Sequence, residues 1–180
     1  MFLFKKMDLQ LNTIIEFVNS SCANIILLLP IGPPGSGKTT FSKFLQSNAN
    51  RNVISISRDI VFQEYRQNNS IRKSKSLTHQ KIKNTISNVE DNSVVYIDTT
   101  NSNQGIRDIY INLVKPDIFK YICFQTNHLE KPIEYLLKRT IRRYHPTFPK
   151  ELQKQKEIIN NIMNIVEYPN DNQNCFLIQI

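Results

Sequence analysis

Residues 31–40 read IGPPGSGKTT. The chain has four glycines among its 180 residues, and three of them, Gly32, Gly35 and Gly37, lie in this decapeptide. Gly32, Gly37, Lys38 and Thr39 complete the pattern G-x-x-x-x-G-K-[ST]. The run IILLLP before the loop is apolar and strand-like, and residues 39–46, with Phe41, Phe44 and Leu45 on one face, read as a helix. A glycine turn between a strand and a helix start can aim successive backbone N–H groups at one point, because glycine accepts positive φ and lets the main chain approach an anion. The helix N-terminus adds to the field there. Gly32, Pro33, Pro34, Gly35, Ser36, Gly37, Lys38, Thr39 and Thr40 are thus expected to cradle a nucleoside triphosphate. Lys38 would reach the β- and γ-phosphates, and the Thr39 hydroxyl would complete the shell of a Mg²⁺ ion.

Outward from this loop, strand and helix alternate. VISIS (53–57), VVYID (94–98), residues 118–124 and CFLIQI (175–180) are further apolar runs. Helical spacing predicts helices over 9–18, from Asp59 through Phe62 and Tyr65, and over 81–89, 105–114, 132–143 and 151–166. Residues 67–79 are polar and basic and read as a loop, and HPTFP (145–149) reads as a turn. Continuous apolar strands belong to a parallel sheet covered on both faces. The expectation is an α/β P-loop NTPase fold, a five-stranded, mostly parallel sheet with helices on both faces and an arginine-bearing helical lid. One domain would span 1–180, with a leading helix within 1–24 and the lid within 129–149. Ligands gather at the carboxyl ends of such strands, where the loop, Asp59, Asp98 and the segment after Phe124 all fall.

The bulk composition is that of an ordinary globular chain. No apolar run is long enough to span a membrane, and lysines followed by an aspartate behind the first apolar residues do not make a secretory signal. Cys22, Cys123 and Cys175 are far apart in sequence and form no zinc or redox spacing, which points to a reducing compartment, cytoplasm or nucleus. The net charge of +8 suits a polyanionic partner, although a chain this rich in Ile, Asn and Lys owes some lysines to composition alone.

Phosphoryl transfer needs an acceptor oxygen, a group to activate it and cations over the migrating charge. Asp59 follows the second strand and is placed to accept the acceptor's proton; it can equally begin the following helix. Arg58 can orient the acceptor or lie in solvent. Asp98 ends VVYID as a carboxylate suited to the magnesium shell, or as a strand-end turn, and Thr99, Thr100 and Asn101 follow it. Arg139, Arg142 and Arg143 lie within two turns of one helix, with Arg139 and Arg143 four apart on a shared face. They are either a lid over the γ-phosphate or a solvated basic face. The basic stretch Arg66, Arg72, Lys73, Lys75, Lys81 and Lys83 can grip a nucleic-acid backbone or be a lysine-rich loop. His128 and His145 have no metal-ligand spacing.

GPPGSGKTT, SRD after the second strand, DTTN after the third and KRTIRR in the lid together resemble the polynucleotide 5′-hydroxyl kinases, over residues 25–145. The resemblance implies ATP- or GTP-dependent phosphorylation of a 5′-OH end of RNA or DNA. In that scheme Lys38, Asp59, Arg139 and Arg143 are catalytic, Thr39 and Asp98 bind magnesium, and Arg58, Arg66, Thr100 and Asn101 hold the acceptor. A separate ligase partner would be in keeping, and no ligase or phosphatase domain is expected after the closing strand. The family's second aspartate and following arginine are missing here, where the chain has Ile60 and Phe62. The alternatives are a kinase of a small metabolite or sugar nucleotide and a non-catalytic NTP-binding protein.

Overall fold

The computed structural model describes residues 2–126, 129–142, 149–170 and 174–180. Strands β1 (Ile25–Ile31), β2 (Asn52–Ser57), β3 (Ser93–Asp98), β4 (Ile118–Gln125) and β5 (Cys175–Gln179) form one sheet in the order β2-β3-β1-β4-β5. All four pairings are parallel. β1 is central, so the loop leaving it emerges between the ends of β3 and β4. The register sets Ser57 opposite Asp98, which brings the segment after β2 to the side of the loop.

Alternate residues of β1 face opposite cores. Ile26 and Leu28 join Phe41, Tyr96, Phe124, Leu136 and Ile159 on one face; Leu27, Leu29 and Ile31 join Ile56, Ile82, Ile97 and Tyr110 on the other. This two-sided burial is why the strands read as unbroken apolar runs. Helices α1 (Phe2–Ser20), α2 (Lys38–Asn48), α6 (Pro132–Arg142) and α7 (Leu152–Ile165) supply the first face, and α4 (Ile71–Ser87) and α5 (Gln104–Val114) the second. None of the described helices is long and apolar enough to cross a membrane.

Most elements fall where the periodicity puts them, and one does not. Residues 67–79 read as a loop, but 71–79 form the whole first half of α4. The buried stripe of that helix is Ser74, Thr78, Ile82 and Ile86, so its first two turns pack hydroxyls where apolar side chains usually sit. Ser74 and Thr78 donate to the carbonyls of Ser70 and Ser74 at 2.9 and 2.7 Å, which makes them compatible with burial. Ser70 caps the start by accepting from the Lys73 N–H. The expected turn at 145–149 lies largely outside the described residues.

Candidate active site

The loop of residues 32–37 carries positive φ at Gly32, Gly35 and Gly37, and Gly37 is the N-cap of α2. Gly35 shows why glycine is needed. Its φ is +79°, and a Cβ there would come within 2.7 Å of the Leu136 carbonyl oxygen. Replacing Gly35 by alanine is expected to cost ~1–3 kcal/mol of stability through backbone strain, measured by denaturant unfolding. Gly105 is the control: a Cβ on it meets nothing closer than 3.6 Å, and Gly105→Ala in α5 should be neutral or stabilise by ~0.4–1 kcal/mol.

Lys38 is 9 % exposed, and its ammonium donates to the carbonyls of Gly32 and Pro33, both at 2.8 Å. Burial pushes its pKa down to about 8, opposed by the nearby carboxylates of Asp98 and Asp59. Thr39 Oγ1 donates to Asp98 at 2.8 Å, so the two expected magnesium groups stand together. The buried Tyr96 hydroxyl donates to the Lys38 carbonyl at 2.9 Å and ties β3 to the first turn of α2. Its rings packed with Phe41, and those of Phe41 with Phe124, floor the loop.

These groups open into one cleft of about 870 Å³. Its walls bring together Gly37, Lys38, Thr39, Arg58, Asp59, Asp98, Thr100 and Arg139, residues drawn from the ends of β1, β2 and β3 and from α6. Asp59 lies in the first turn of α3 (Arg58–Arg66), whose N-cap is Ser57. Arg139 stands over the loop: its Nη2 is 3.3 Å from where a Cβ on Gly37 would lie. The Tyr135 hydroxyl holds it, accepting from Nη1 at 2.7 Å. Arg143, His128 and His145 are outside the described residues.

Two expected acceptor residues are not in the cleft. Asn101 is 1 % exposed and donates its amide to the carbonyls of Pro30 and Ile97, at 2.8 and 3.1 Å, tying the ends of β1 and β3. Arg66 donates to the Asn69 carbonyl at the far end of α3. The cleft also takes in Lys43, Ile158 and Ile162, to which sequence reasoning assigns no site role. Only helical periodicity could have hinted at Lys43, one turn past Thr39 on α2. Nothing in the sequence brings α7 to this cleft.

The model of one family, that of the chromatin-associated protein KTI12, matches residues 25–174. The chain belongs to the KTI12 family. The match covers the sheet from β1 to the approach to β5 and so contains every element of the cleft. The motif resemblance therefore holds at the level of P-loop kinase-like proteins, with KTI12 as the family. A transcription factor of Arabidopsis thaliana, bHLH140, is 26 % identical over 175 residues, covering 94 % of this chain and 18 % of that protein. The chain thus spans about a fifth of the length of this curated relative. Kti12 of Chaetomium thermophilum, solved in complex with ADP-AlF3, superposes with a TM-score of 0.52 at 19 % identity, over 87 % of this chain and 88 % of that one. A structure of the Pnkp1/Rnl/Hen1 RNA repair complex superposes with a TM-score of 0.58 at 17 % identity, over 85 % of this chain and 50 % of that one. At these identities the two structures speak for the fold, a P-loop kinase-like α/β sheet.

Proposed function

We propose that the chain transfers the γ-phosphoryl group of a magnesium-bound ATP or GTP to the 5′-hydroxyl end of an RNA or DNA strand. The observation that carries this reading is the presence of Asp59 and Arg139 in the same cleft as Lys38 and the glycine loop. A protein that only holds a nucleotide needs neither a carboxylate facing the acceptor side nor an arginine above the phosphates. Magnesium fits the donor set: Thr39 and Asp98 offer hard oxygens within 2.8 Å of each other, and Mg²⁺ takes one or two protein oxygens with phosphate and water for the rest. When bound, the ion would neutralise charge on the β- and γ-phosphates. The protein's own part is then positional. The loop N–H groups hold the polyphosphate, Arg139 covers the migrating group, and Asp59 receives the hydroxyl proton. The family's description and the RNA repair likeness agree with a nucleic-acid setting, nuclear or cytoplasmic.

Helix α4 supplies a surface for the acceptor strand. It contains no acidic residue, and Arg72, Lys75, His79 and Lys83 recur along one exposed flank, with Lys75 entering the cleft. Oligonucleotide affinity should fall steeply with salt, and Arg72→Gln with Lys83→Gln should reduce the slope of log affinity against log salt by ~1 per residue. NTP affinity should stay unchanged in that double variant, because neither residue lines the cleft. An unaltered slope would remove α4 from the acceptor path.

A second reading is NTP hydrolysis, with water as the acceptor. The observation favouring it is that Ile60 and Phe62 line the acceptor half of the cleft, where the kinase pattern carries charge. Incubation with γ-labelled ATP or GTP, Mg²⁺ and 5′-OH oligomers separates the two. Label on the oligomer establishes the kinase; label released only as inorganic phosphate, unaffected by oligomers, establishes the hydrolase.

A further inference from the structure

Cys123 and Cys175 are 52 positions apart in sequence and adjacent in space. They lie on β4 and β5, and the register sets Cys175 beside Tyr121 and Cys123 beside Leu177. Each cysteine is therefore two residues along from the other's partner, so both side chains leave the same face of the sheet as diagonal neighbours. Their Sγ atoms are 2.6 Å apart, one thiol donating to the other sulfur. The pair belongs to the core that contains Ile31 and Ile97, on the face opposite Phe124 and the floor of the glycine loop.

We infer that Cys123 and Cys175 form an oxidisable dithiol that closes into a β4–β5 disulfide when the protein meets a peroxide. Access dictates the order of events. Cys123 is 1 % exposed, while Cys175 is only half-buried. The neighbouring sulfur and burial also hold the Cys123 thiol far above the ordinary thiol range. Cys175 is thus the entry point. Its thiolate takes one oxygen from hydrogen peroxide, giving a sulfenic acid and, with the proton balance closed, one water. The Cys123 sulfur then attacks the Cys175 sulfur, and the sulfenic oxygen leaves with the Cys123 proton as a second water. Two thiols lose two hydrogens, and one peroxide becomes two waters. Cys22 is exposed near the end of α1 and takes no part.

The bond would close a covalent ring around α6 and α7, the part of the chain that carries Arg139 and the α7 wall of the cleft. Its effect is to fasten the edge strand β5 without entering the nucleotide cleft. The oxidised protein should unfold ~5–15 °C higher than the reduced protein, since the cross-link restricts the unfolded chain. This inference does not depend on which reaction the cleft performs.

The test uses the Cys22→Ser chain, folded, treated with hydrogen peroxide, quenched with catalase, then denatured and alkylated. The expected result is no alkylated cysteine, an intact mass about 2 Da below that of the reduced protein, and one tryptic cross-link joining the peptides of Cys123 and Cys175. Dithiothreitol should return both thiols. In Cys22→Ser/Cys175→Ser, Cys123 should remain alkylatable after the same treatment. Two alkylatable thiols in the oxidised Cys22→Ser chain, oxygen adducts without a cross-link, or cross-linked dimers in its place would each overturn the inference. The single variant decides the matter even if the double variant fails to fold.

Discussion

A Lys38→Met chain should bind nucleotide more weakly and lose most of its turnover while unfolding at no lower a temperature than the unaltered protein. The two halves of this expectation have one cause. Lys38 is a buried cation whose pKa burial lowers to about 8 from 10.5, so its charged form is disfavoured in the fold. The sign follows from linkage. Below about pH 8 the lysine is charged in both states and the fold carries the whole net cost of keeping it charged, burial less the attraction of Asp98 and Asp59, on the order of 3 kcal/mol. Between about pH 8 and 10.5 the unfolded chain holds the extra proton, and stability recovers as pH rises. Methionine removes that cost and gives up the bonds to the Gly32 and Pro33 carbonyls, which offsets part of the gain.

On the functional side, a charge-assisted bond to phosphate is worth ~1.5–3 kcal/mol, so NTP affinity should drop ~10–100-fold. Turnover should drop by a further ~10²–10³-fold, the scale of one lost donor to transition-state charge. Polyphosphate favours the charged ammonium, so affinity in the unaltered chain should be greatest below about pH 8 and decline as pH rises above it. Lys38→Met should flatten that decline. Calorimetric titration across this range, with thermal unfolding of the apo protein, measures both halves. A Lys38→Met chain that unfolds well below the unaltered protein would mean that Lys38 is structural.

How far the site was legible follows from the kind of signal each residue leaves. The loop declares itself because its pattern is local: three glycines, a lysine and a threonine in one decapeptide. Asp59 and Asp98 are legible because apolar strands end just before or at them and a parallel sheet gathers its strand ends. The first half of α4 is not legible because Ser74 and Thr78 bury hydroxyls bonded to their own helix, and hydropathy sees only polarity. Asn101 reads as a contact residue because an amide after a strand-end carboxylate looks available. Its φ of +47° and its bonds to two strand ends are tertiary facts with no sequence trace. The Cys123–Cys175 pair hides for the same reason. Strand order decides that β5 lies beside β4, and no spacing rule reports it. The glycine economy of the chain also makes sense: Gly32, Gly35 and Gly37 occupy conformations or contacts that exclude a Cβ, and only Gly105 has room for one.

Asp59→Asn should leave NTP affinity within ~3-fold of the unaltered chain and lower phosphorylation of a 5′-OH oligomer by ~10²–10⁴-fold, the usual worth of a positioned general base. Asparagine keeps the size of the side chain and can still orient a hydroxyl, but it cannot take up its proton. The role differs from that of the magnesium pair, since Asp59 enters the cleft from the first turn of α3 and Thr39 and Asp98 are bonded to each other; its charge reaches Lys38 less strongly than that of Asp98 does. A role confined to the helix start would look different. Loss of a carboxylate in the first turn costs only ~0.3–1 kcal/mol through the helix dipole, and turnover would barely change. Initial rates with labelled NTP, run beside thermal unfolding, distinguish the two. Preserved stability with a large loss of rate assigns Asp59 to the acceptor's proton. A small drop in stability with an intact rate assigns it to α3. Measuring release of inorganic phosphate in the same samples then decides between acceptors: if hydrolysis falls as far as transfer, Asp59 serves whichever oxygen enters the cleft, and the choice between a strand end and water rests with Ile60, Phe62 and the α4 flank.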